Sequence, residues 1–241
     1  MTHKAFEQQA FEKLLCAIYA QPYTISNTSE LIKVTGFADY YRALPILSRT
    51  LDGALVNSKQ INWYIAQDSA MLLETAAKLR NALLFRECLV WVVSPWSKRE
   101  DLRRKTSDAK LQKCIITAHR HVGKKVADLQ HAITSFMAMY SAHKEFKYIA
   151  PLHVLRDFIE RSTMACYDTS STSVFLPKYF RLLSESGYFR WISNPLNEVC
   201  VNKLVLSRKT IMASDEGWKD NLFCAEIADE DLQWDIHEKE W

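Results

Sequence analysis

The longest uninterrupted helical pattern in the sequence lies in its middle, between Thr106 and Ala142. These 37 residues contain no proline and a single glycine, Gly123. Apolar residues recur at spacings of three and four, which places them on one helix face: Leu111, Ile115, Ala118, Val122, Val126, Leu129, Ile133, Phe136 and Tyr140. The segment predicts either one helix, about 55 Å long at roughly 1.5 Å per residue, or two helices kinked at Gly123.

The chain before this segment follows the same period in shorter stretches. Apolar positions of one helix face recur over residues 6–18, and Pro22 ends that helix. A second helix is predicted to begin with Thr28 or Ser29 as its N-cap, and its buried face consists of Leu31, Ile32, Val34, Thr35, Ala38 and Tyr41. Pro45 fits the first turn of a third helix, which presents Ile46, Leu47, Leu51 and Leu55.

A weak internal repeat relates this helix pair to the next part of the chain. A shift of 39 residues superposes ADYYRALPI, from Ala38, on AKLRNALLF, from Ala77, with three identities in nine positions. A stack of antiparallel helix pairs, each burying its apolar face against the next, explains such a repeat. The second copy lies in a helical region that is predicted to begin with Asp68 or Ser69 as its N-cap.

Further helices are predicted after the long one. The segment LHVLRDFIERSTMACYD, from Leu152, is amphipathic; Pro177 opens another helix, which Gly187 is suited to end. Residues 197–209 fit a last helix or, from their β-branched residues, a strand. The predicted fold class is therefore all-α: stacked antiparallel helix pairs, one long helix (about 106–142) and further C-terminal helices. Only 5 glycines and 6 prolines are present, which disfavours all-β folds and phosphate-binding loops.

Charged residues are unevenly distributed along the chain. Residues 98–125 hold ten Lys or Arg and three Asp or Glu, whereas residues 213–241 hold two Lys or Arg and ten Asp or Glu. Opposite charges of this kind allow the two segments to contact each other. Three regions are predicted: residues 1–96, a helical domain 97–212 that contains the long basic helix, and an acidic tail 213–241, loosely packed apart from Trp218, Phe223 and Trp234.

The basic segment 98–125 is the strongest electrostatic feature of the sequence. Its candidate contact residues are Arg103, Arg104, Lys105, Lys124 and Lys125. Clusters of Lys and Arg bind phosphates without sequence preference, so a nucleic-acid-associated or nuclear regulatory factor is one interpretation, and a nuclear-import signal is another. The segment contains few aromatic residues and no recognised nucleic-acid module. These features favour a solvated helix face or a contact with the acidic tail over nucleic acid binding.

The sequence carries none of the common catalytic or cofactor-binding motifs. It has no glycine-rich phosphate loop, no G-x-S-x-G and no H-E-x-x-H. His119 and His121 form an H-x-H, but residues two apart on a helix point in divergent directions, and neither Cys114 nor His131 completes a ligand set. We therefore predict a non-enzymatic protein with no cofactor and no metal.

The expected location follows from the cysteines and from the apolar stretches. Six cysteines lie at wide intervals with no C-x-x-C pair, which is typical of reduced thiols. No apolar stretch reaches the roughly 18 residues of a membrane span, and the amphipathic N-terminus does not resemble a signal peptide. We expect the cytoplasm or the nucleus, and no membrane.

Two motifs near the N-terminus carry a family resemblance. Residues 11–19 form the pattern F-x-x-L-L-x-x-I-Y, through Phe11, Leu14, Leu15, Ile18 and Tyr19. Residues 31–41 form L-I-x5-A-D-x-Y, through Leu31, Ile32, Ala38, Asp39 and Tyr41, with Leu44, Leu47 and Leu51 beyond. Together they resemble the C-terminal half of a BTB/POZ domain, and residues 72–96 are similar to the helical extension of fungal BTB-domain proteins. The resemblance covers about residues 6–96 and implies an adaptor-like protein-protein interaction module.

The resemblance also implies partner-binding residues. In BTB adaptors the tyrosine that matches Tyr19 lies near the cullin surface, as does the following loop. This implies Tyr19, Gln21 and Tyr23 as partner contacts, with a cullin scaffold or an unidentified protein as the partner; the alternative for Tyr19 is packing under the next helix. The usual Thr-Gly of that loop is replaced by Ala20 and Gln21. Ten residues before Phe11 leave no room for the BTB sheet half, so we expect an apolar face that a partner covers.

Overall fold

The computed structural model describes residues 3–58, 60–93, 106–142, 152–168, 173–201, 204–206, 222–223 and 226–235. Within these ranges the α-helices are α1 (His3–Ile18), α2 (Thr28–Tyr40), α3 (Leu44–Asn57), α4 (Ile61–Gln67), α5 (Ser69–Lys78), α6 (Ala82–Val93), α7 (Ala109–Ala142), α8 (Leu152–Ala165), α9 (Leu176–Glu185) and α10 (Ser193–Cys200). Two short strands, β1 (Tyr167–Asp168) and β2 (Ser173–Val174), pair antiparallel. The prediction of an all-α fold is confirmed.

Helix α7 runs from Ala109 to Ala142 through Gly123, so the long segment forms one helix of 34 residues rather than two. It begins three residues later than predicted, because Thr106 is buried and donates its hydroxyl to Glu74 of α5 at 2.5 Å. The carboxylate of Asp108 then accepts hydrogen bonds from the first backbone N–H groups of the helix, at 2.7 Å and 3.2 Å. Such a cap satisfies donors that have no partner inside the helix.

Two joints between helices, α2–α3 and α5–α6, share one geometry. In each, an arginine in the left-handed region follows the first helix, with φ of 57° at Arg42 and 46° at Arg80. The next N–H donates to the carbonyl five residues back, at 2.6 Å from Ala43 and at 3.0 Å from Asn81. These bonds form the Schellman end of a helix. The joints are 38 residues apart, one fewer than the shift of 39 given by the sequence identities.

Arg42 occupies a backbone conformation that favours glycine, so Arg42→Gly is expected to raise the free energy of unfolding by about 1 kcal/mol. The left-handed region costs a residue with a Cβ roughly 1–2 kcal/mol, and the greater flexibility of glycine in the unfolded chain removes part of that gain. The matched control is Arg49→Gly in the exposed interior of α3, where glycine is expected to cost about 1 kcal/mol. Urea denaturation measures both changes, and effects of the same sign would contradict the prediction.

The two helices α9 and α10 are held together by a buried arginine. Pro177 lies in the first turn of α9, and Gly187, with φ of 71°, follows its end, as predicted. The guanidinium of Arg181 donates to the backbone carbonyls of Pro177 at 3.1 Å, Cys200 at 3.1 Å and Leu222 at 2.8 Å. Of the two alternatives for residues 197–209, the helical one holds as far as Cys200.

The described helices share one hydrophobic core. Its buried side chains form a single cluster that extends from Ala10 in α1 to Leu232 near the C-terminal end. The domain boundaries predicted at 96/97 and 212/213 lie outside the described residues, and members of the cluster occur on both sides of each. Helix α8 adds no buried member to the cluster and packs against it through the partly buried Phe158 and Ile159.

Residues 226–235, which we call the acidic strap, are packed against this core. Loose packing was predicted here, but Ile227 and Leu232 are buried, and the ring of Trp234 meets Phe85 edge-on with 5.1 Å between centroids. The five acidic residues of the strap mask these apolar positions in the sequence pattern. Of the aromatic residues predicted to pack in the tail, Phe223 and Trp234 do so, and Trp218 lies outside the described residues.

Candidate functional site

An open apolar groove of about 830 Å³ lies between the first turns of α1 and the outer face of α2. We call it the aromatic groove, and its lining residues are Phe6, Ser29, Ile32, Lys33, Gly36, Phe37, Tyr40 and Tyr41. Tyr40 is 79% exposed and Tyr41 is 55% exposed. Large aromatic side chains at such exposure are costly in water, which makes this groove the strongest candidate for a binding surface in the described residues.

The groove exists because α2 is apolar on two faces. Val34 and Ala38 point into the core and are fully buried, as the sequence predicted. Ile32, Gly36 and Tyr40 recur every four residues on another face, which is exposed. The prediction that Ile32 and Tyr41 belong to the buried face is wrong, because the periodicity of a helix with two apolar faces does not tell which of them meets the core.

Aromatic rings form one wall of the groove. The ring of Phe11 lies 5.7 Å from Phe37 and 5.6 Å from Tyr41, and Tyr40 lies 4.9 Å from Tyr41. The first and third of these contacts are edge-to-face and the second is tilted, and contacts at these distances restrict the rings before any partner binds. Gly36 leaves the floor open, since a Cβ placed there would meet nothing within 4 Å. The wall is therefore ordered and the floor is accessible to the main chain of a partner.

The charges beside the groove compensate each other. The Lys33 ammonium lies 2.6 Å from the Glu7 carboxylate and 5.2 Å from the centroid of Phe37. The hydrogen bond from Lys33 is the main cause that holds the pKa of Glu7 below its ordinary value. At the other end, the Lys78 ammonium pairs with Asp39 at 2.8 Å. The groove thus offers an apolar surface with little net charge.

The three partner-binding residues implied by the BTB resemblance lie apart from the groove lining and differ in their exposure. Tyr19 is 71% exposed, so the alternative of packing under the next helix is wrong, and Gln21 is exposed beside it. Tyr23 is partly buried instead; its hydroxyl lies 2.9 Å from the Thr50 hydroxyl, and burial raises its pKa. Only Tyr19 and Gln21 of this set are accessible to a partner.

The predicted basic patch is described only in part. Arg103, Arg104 and Lys105 lie outside the described residues. On α7, Lys124 is exposed, whereas the Lys125 ammonium lies 3.9 Å from Glu198 and 3.7 Å from Glu226 of the acidic strap. The acidic tail therefore contacts the basic helix, one of the alternatives left open by the sequence.

The histidines and thiols of α7 are not gathered into a site. Burial lowers the pKa of His119, and the Cys114 thiol donates to the backbone carbonyl of Asp231 at 3.3 Å. Across the described ranges, no group of three or more His, Cys, Asp or Glu side chains is arranged to hold a metal ion. Nor does any helix in those ranges combine the length and apolarity needed to cross a bilayer.

Comparisons of the chain with protein-family models, with curated proteins and with solved structures find no match.

Proposed function

We propose that this chain is a non-enzymatic protein-interaction module that binds a partner protein through the aromatic groove. The observation that carries the proposal is the exposure of Ile32, Tyr40 and Tyr41 around an accessible floor at Gly36. Aromatic residues supply most of the energy at the centres of protein interfaces, whereas Lys and Glu are depleted there. Four of the eight lining residues are aromatic, and Lys33 is the one charged residue among them.

We also propose that the chain is a diverged relative of BTB/POZ proteins, possessing the C-terminal half and the helical extension. Helices α1 and α2 cover the two motifs that carry the resemblance, and α3 covers the leucines beyond them, which supports the proposal. For an adaptor role with a cullin scaffold, the exposure of Tyr19 and Gln21 is favourable and the partial burial of Tyr23 is not.

The partner that best fits the groove is a neutral, apolar protein surface. Glu7 and Lys33 already pair with each other at one end, as do Asp39 and Lys78 at the other. A strongly acidic or basic ligand would displace one side chain of a pair and leave that side chain without its counter-ion. Association should therefore depend on apolar contact area and respond weakly to salt.

Truncation of Tyr40 is expected to weaken partner binding at least about tenfold without affecting the fold. The variant Tyr40→Ser removes an exposed aromatic side chain, so its free energy of unfolding should stay within about 0.5 kcal/mol of wild type. Loss of an aromatic anchor at an interface weakens binding roughly tenfold or more. Proximity labelling with the full-length chain, in cells that express it, measures the set of neighbouring proteins by quantitative mass spectrometry.

The matched control for this experiment is Trp63→Ser. Trp63 is 59% exposed, lies outside the groove lining and stacks edge-on with a neighbouring tyrosine, as Tyr40 does. Neighbours enriched by wild type should remain with Trp63→Ser and disappear with Tyr40→Ser. Equal retention in both variants would show that the groove is not the binding surface.

The second proposal, a nucleic-acid-associated or nuclear regulatory factor that uses residues 98–125, has weaker support. Lys124 is exposed, but Lys125 is paired with two carboxylates, which lowers the positive potential of the helix. A steep loss of nucleic acid binding with salt would distinguish this function from the first. For either function we propose the cytoplasm or the nucleus, since the described cysteines form no disulfide: Cys16, Cys88, Cys114, Cys166 and Cys200.

A further inference from the structure

The acidic strap lies on a second surface, formed by α6 and α7 and separate from the aromatic groove. It runs along α7 against the direction of the helix. The Glu226 carboxylate lies 3.7 Å from the Lys125 ammonium, and the Asp231 carbonyl accepts a hydrogen bond from the Cys114 thiol at 3.3 Å. Trp234 then lines a cavity of about 420 Å³ near Lys110, in the first turn of the helix.

The strap is held by side chains rather than by backbone pairing. On α6, Nε of Arg86 donates to the Ile227 carbonyl at 3.2 Å, and the guanidinium pairs with the Asp229 carboxylate. A 3-10 turn at Asp229–Asp231 is the only regular structure in the strap, and among the described residues the strap pairs with no β-strand. The ion pairs at Asp229 and Glu226 are partly exposed, so water and salt weaken them. Contacts of this kind can be exchanged for equivalent contacts with another chain.

The strap has the composition of a linear binding motif. Its ten residues, EIADEDLQWD, include five Asp or Glu, no Lys or Arg, and three large apolar residues that face the core cluster: Ile227, Leu232 and Trp234. The surface beneath supplies the complementary groups, namely cations at Arg86 and Lys125 and an aromatic ring at Phe85. The ion pairs therefore lie in the first four residues of the strap, at Glu226 and Asp229, and the apolar anchors extend from Ile227 to Trp234.

We propose that the strap is an internal ligand of the α6–α7 surface, and that this surface accepts an acidic partner peptide with two aliphatic anchors and a tryptophan in the same spacing. A tethered segment competes at an effective concentration of roughly millimolar, so the wild-type chain binds such a peptide only weakly. A partner with stronger anchors, or a change that loosens the strap, opens the surface. The α6–α7 surface and the aromatic groove share no residues, so binding at one does not require binding at the other.

The direct test measures peptide binding to the full-length chain. The probe is a fluorescein-labelled peptide EIADEDLQWD, and the protein is either wild type or Trp234→Ala, in which the strap has lost its aromatic anchor. Fluorescence anisotropy is expected to give at least about tenfold tighter binding to Trp234→Ala than to wild type. Adding Arg86→Glu to Trp234→Ala should remove the binding, as should a peptide with alanine in place of tryptophan.

Alkylation of two thiols reports whether the strap has opened and whether the fold has survived. Burial raises the pKa of Cys114 to about 11, and the neighbouring Asp231 carboxylate raises it further. Burial also raises the pKa of Cys200 to about 11, although the nearby Arg181 guanidinium lowers it in part. At pH 8 a thiol with this pKa is about one-thousandth thiolate, so iodoacetamide reacts slowly with both. Release of the strap is expected to accelerate alkylation of Cys114 by at least tenfold and to leave Cys200 unchanged.

Reaction at Cys200 would mean that Trp234→Ala has unfolded. The double variant Glu226→Ala/Asp229→Ala is then used in place of Trp234→Ala, because the side chains of Glu226 and Asp229 are exposed and lie outside the core. In whichever variant keeps Cys200 protected, equal peptide affinity to wild type overturns the proposal. Equal binding of the alanine-substituted peptide overturns it as well.

Discussion

Replacement of Arg181 by methionine is expected to lower the free energy of unfolding by roughly 3 to 5 kcal/mol. The guanidinium is buried and donates to three backbone carbonyls, those of Pro177, Cys200 and Leu222. Methionine has a similar length but no donor, so each of the three carbonyls would lose the hydrogen bond from the guanidinium, at a cost of about 1 kcal/mol or more apiece. Urea denaturation followed by far-UV circular dichroism measures the change.

The matched control for Arg181 is Arg161→Met in α8. Arg161 is exposed and pairs with Asp157 one helical turn away, at 2.6 Å. Exposed pairs of this kind contribute less than about 0.5 kcal/mol. A loss of stability at Arg181 as small as that at Arg161 would mean that water replaces the guanidinium in its buried position.

The second large effect is expected at Glu30, whose replacement by glutamine should cost about 3 kcal/mol. The side chain is 3% exposed, and its carboxylate lies 2.6 Å from the Lys13 ammonium and accepts the Ser26 N–H at 2.6 Å. Glutamine keeps the shape but removes the charge, which leaves the mostly buried Lys13 ammonium without its counter-ion. Thermal unfolding compared with wild type measures the loss.

The matched control for Glu30 is Glu7→Gln, because the two ion pairs have the same length but differ in burial. The Glu7 carboxylate also lies 2.6 Å from a lysine ammonium, that of Lys33, but both side chains are about one-third exposed. Since water screens this pair, the change in stability should be within the error of the measurement. Comparable losses at Glu7 and Glu30 would show that burial does not govern the strength of these pairs.

Periodicity was sufficient to predict most of the helices, because each of these buries one continuous face; α4 was not predicted, and α10 begins four residues before the predicted segment 197–209. Leu47, Leu51 and Ala38 were expected in the core and are buried there. Glycine marked only one of the left-handed positions in the described residues, Gly187. The other three are occupied by Ala20, Arg42 and Arg80, which the usual signals do not predict, because glycine is the residue that favours this conformation. The N-cap of α2 is Asn27 rather than Thr28 or Ser29, because its side chain reaches the Glu30 N–H at 2.9 Å.

The aromatic groove and the acidic strap could not be located from the sequence. For the groove, Ile32 and Tyr41 were assigned to the buried face, since nothing in a single helix with two apolar faces indicates which one lacks a neighbour. For the strap, Asp229 and Trp234 contact α6 residues more than 140 positions earlier in the chain. Pairings at such separation are decided by tertiary packing, which local patterns do not encode.

The contact between Arg86 and Asp229 spans 143 residues and has a consequence for synthesis of the chain. At a ribosomal rate of roughly 5–20 residues per second, about 7 to 30 s pass between the synthesis of Arg86 and the synthesis of Asp229. Phe85 and the neighbouring apolar side chains of α6 remain accessible to chaperones throughout that interval. Synthesis of the acidic strap therefore completes the covering of this part of α6.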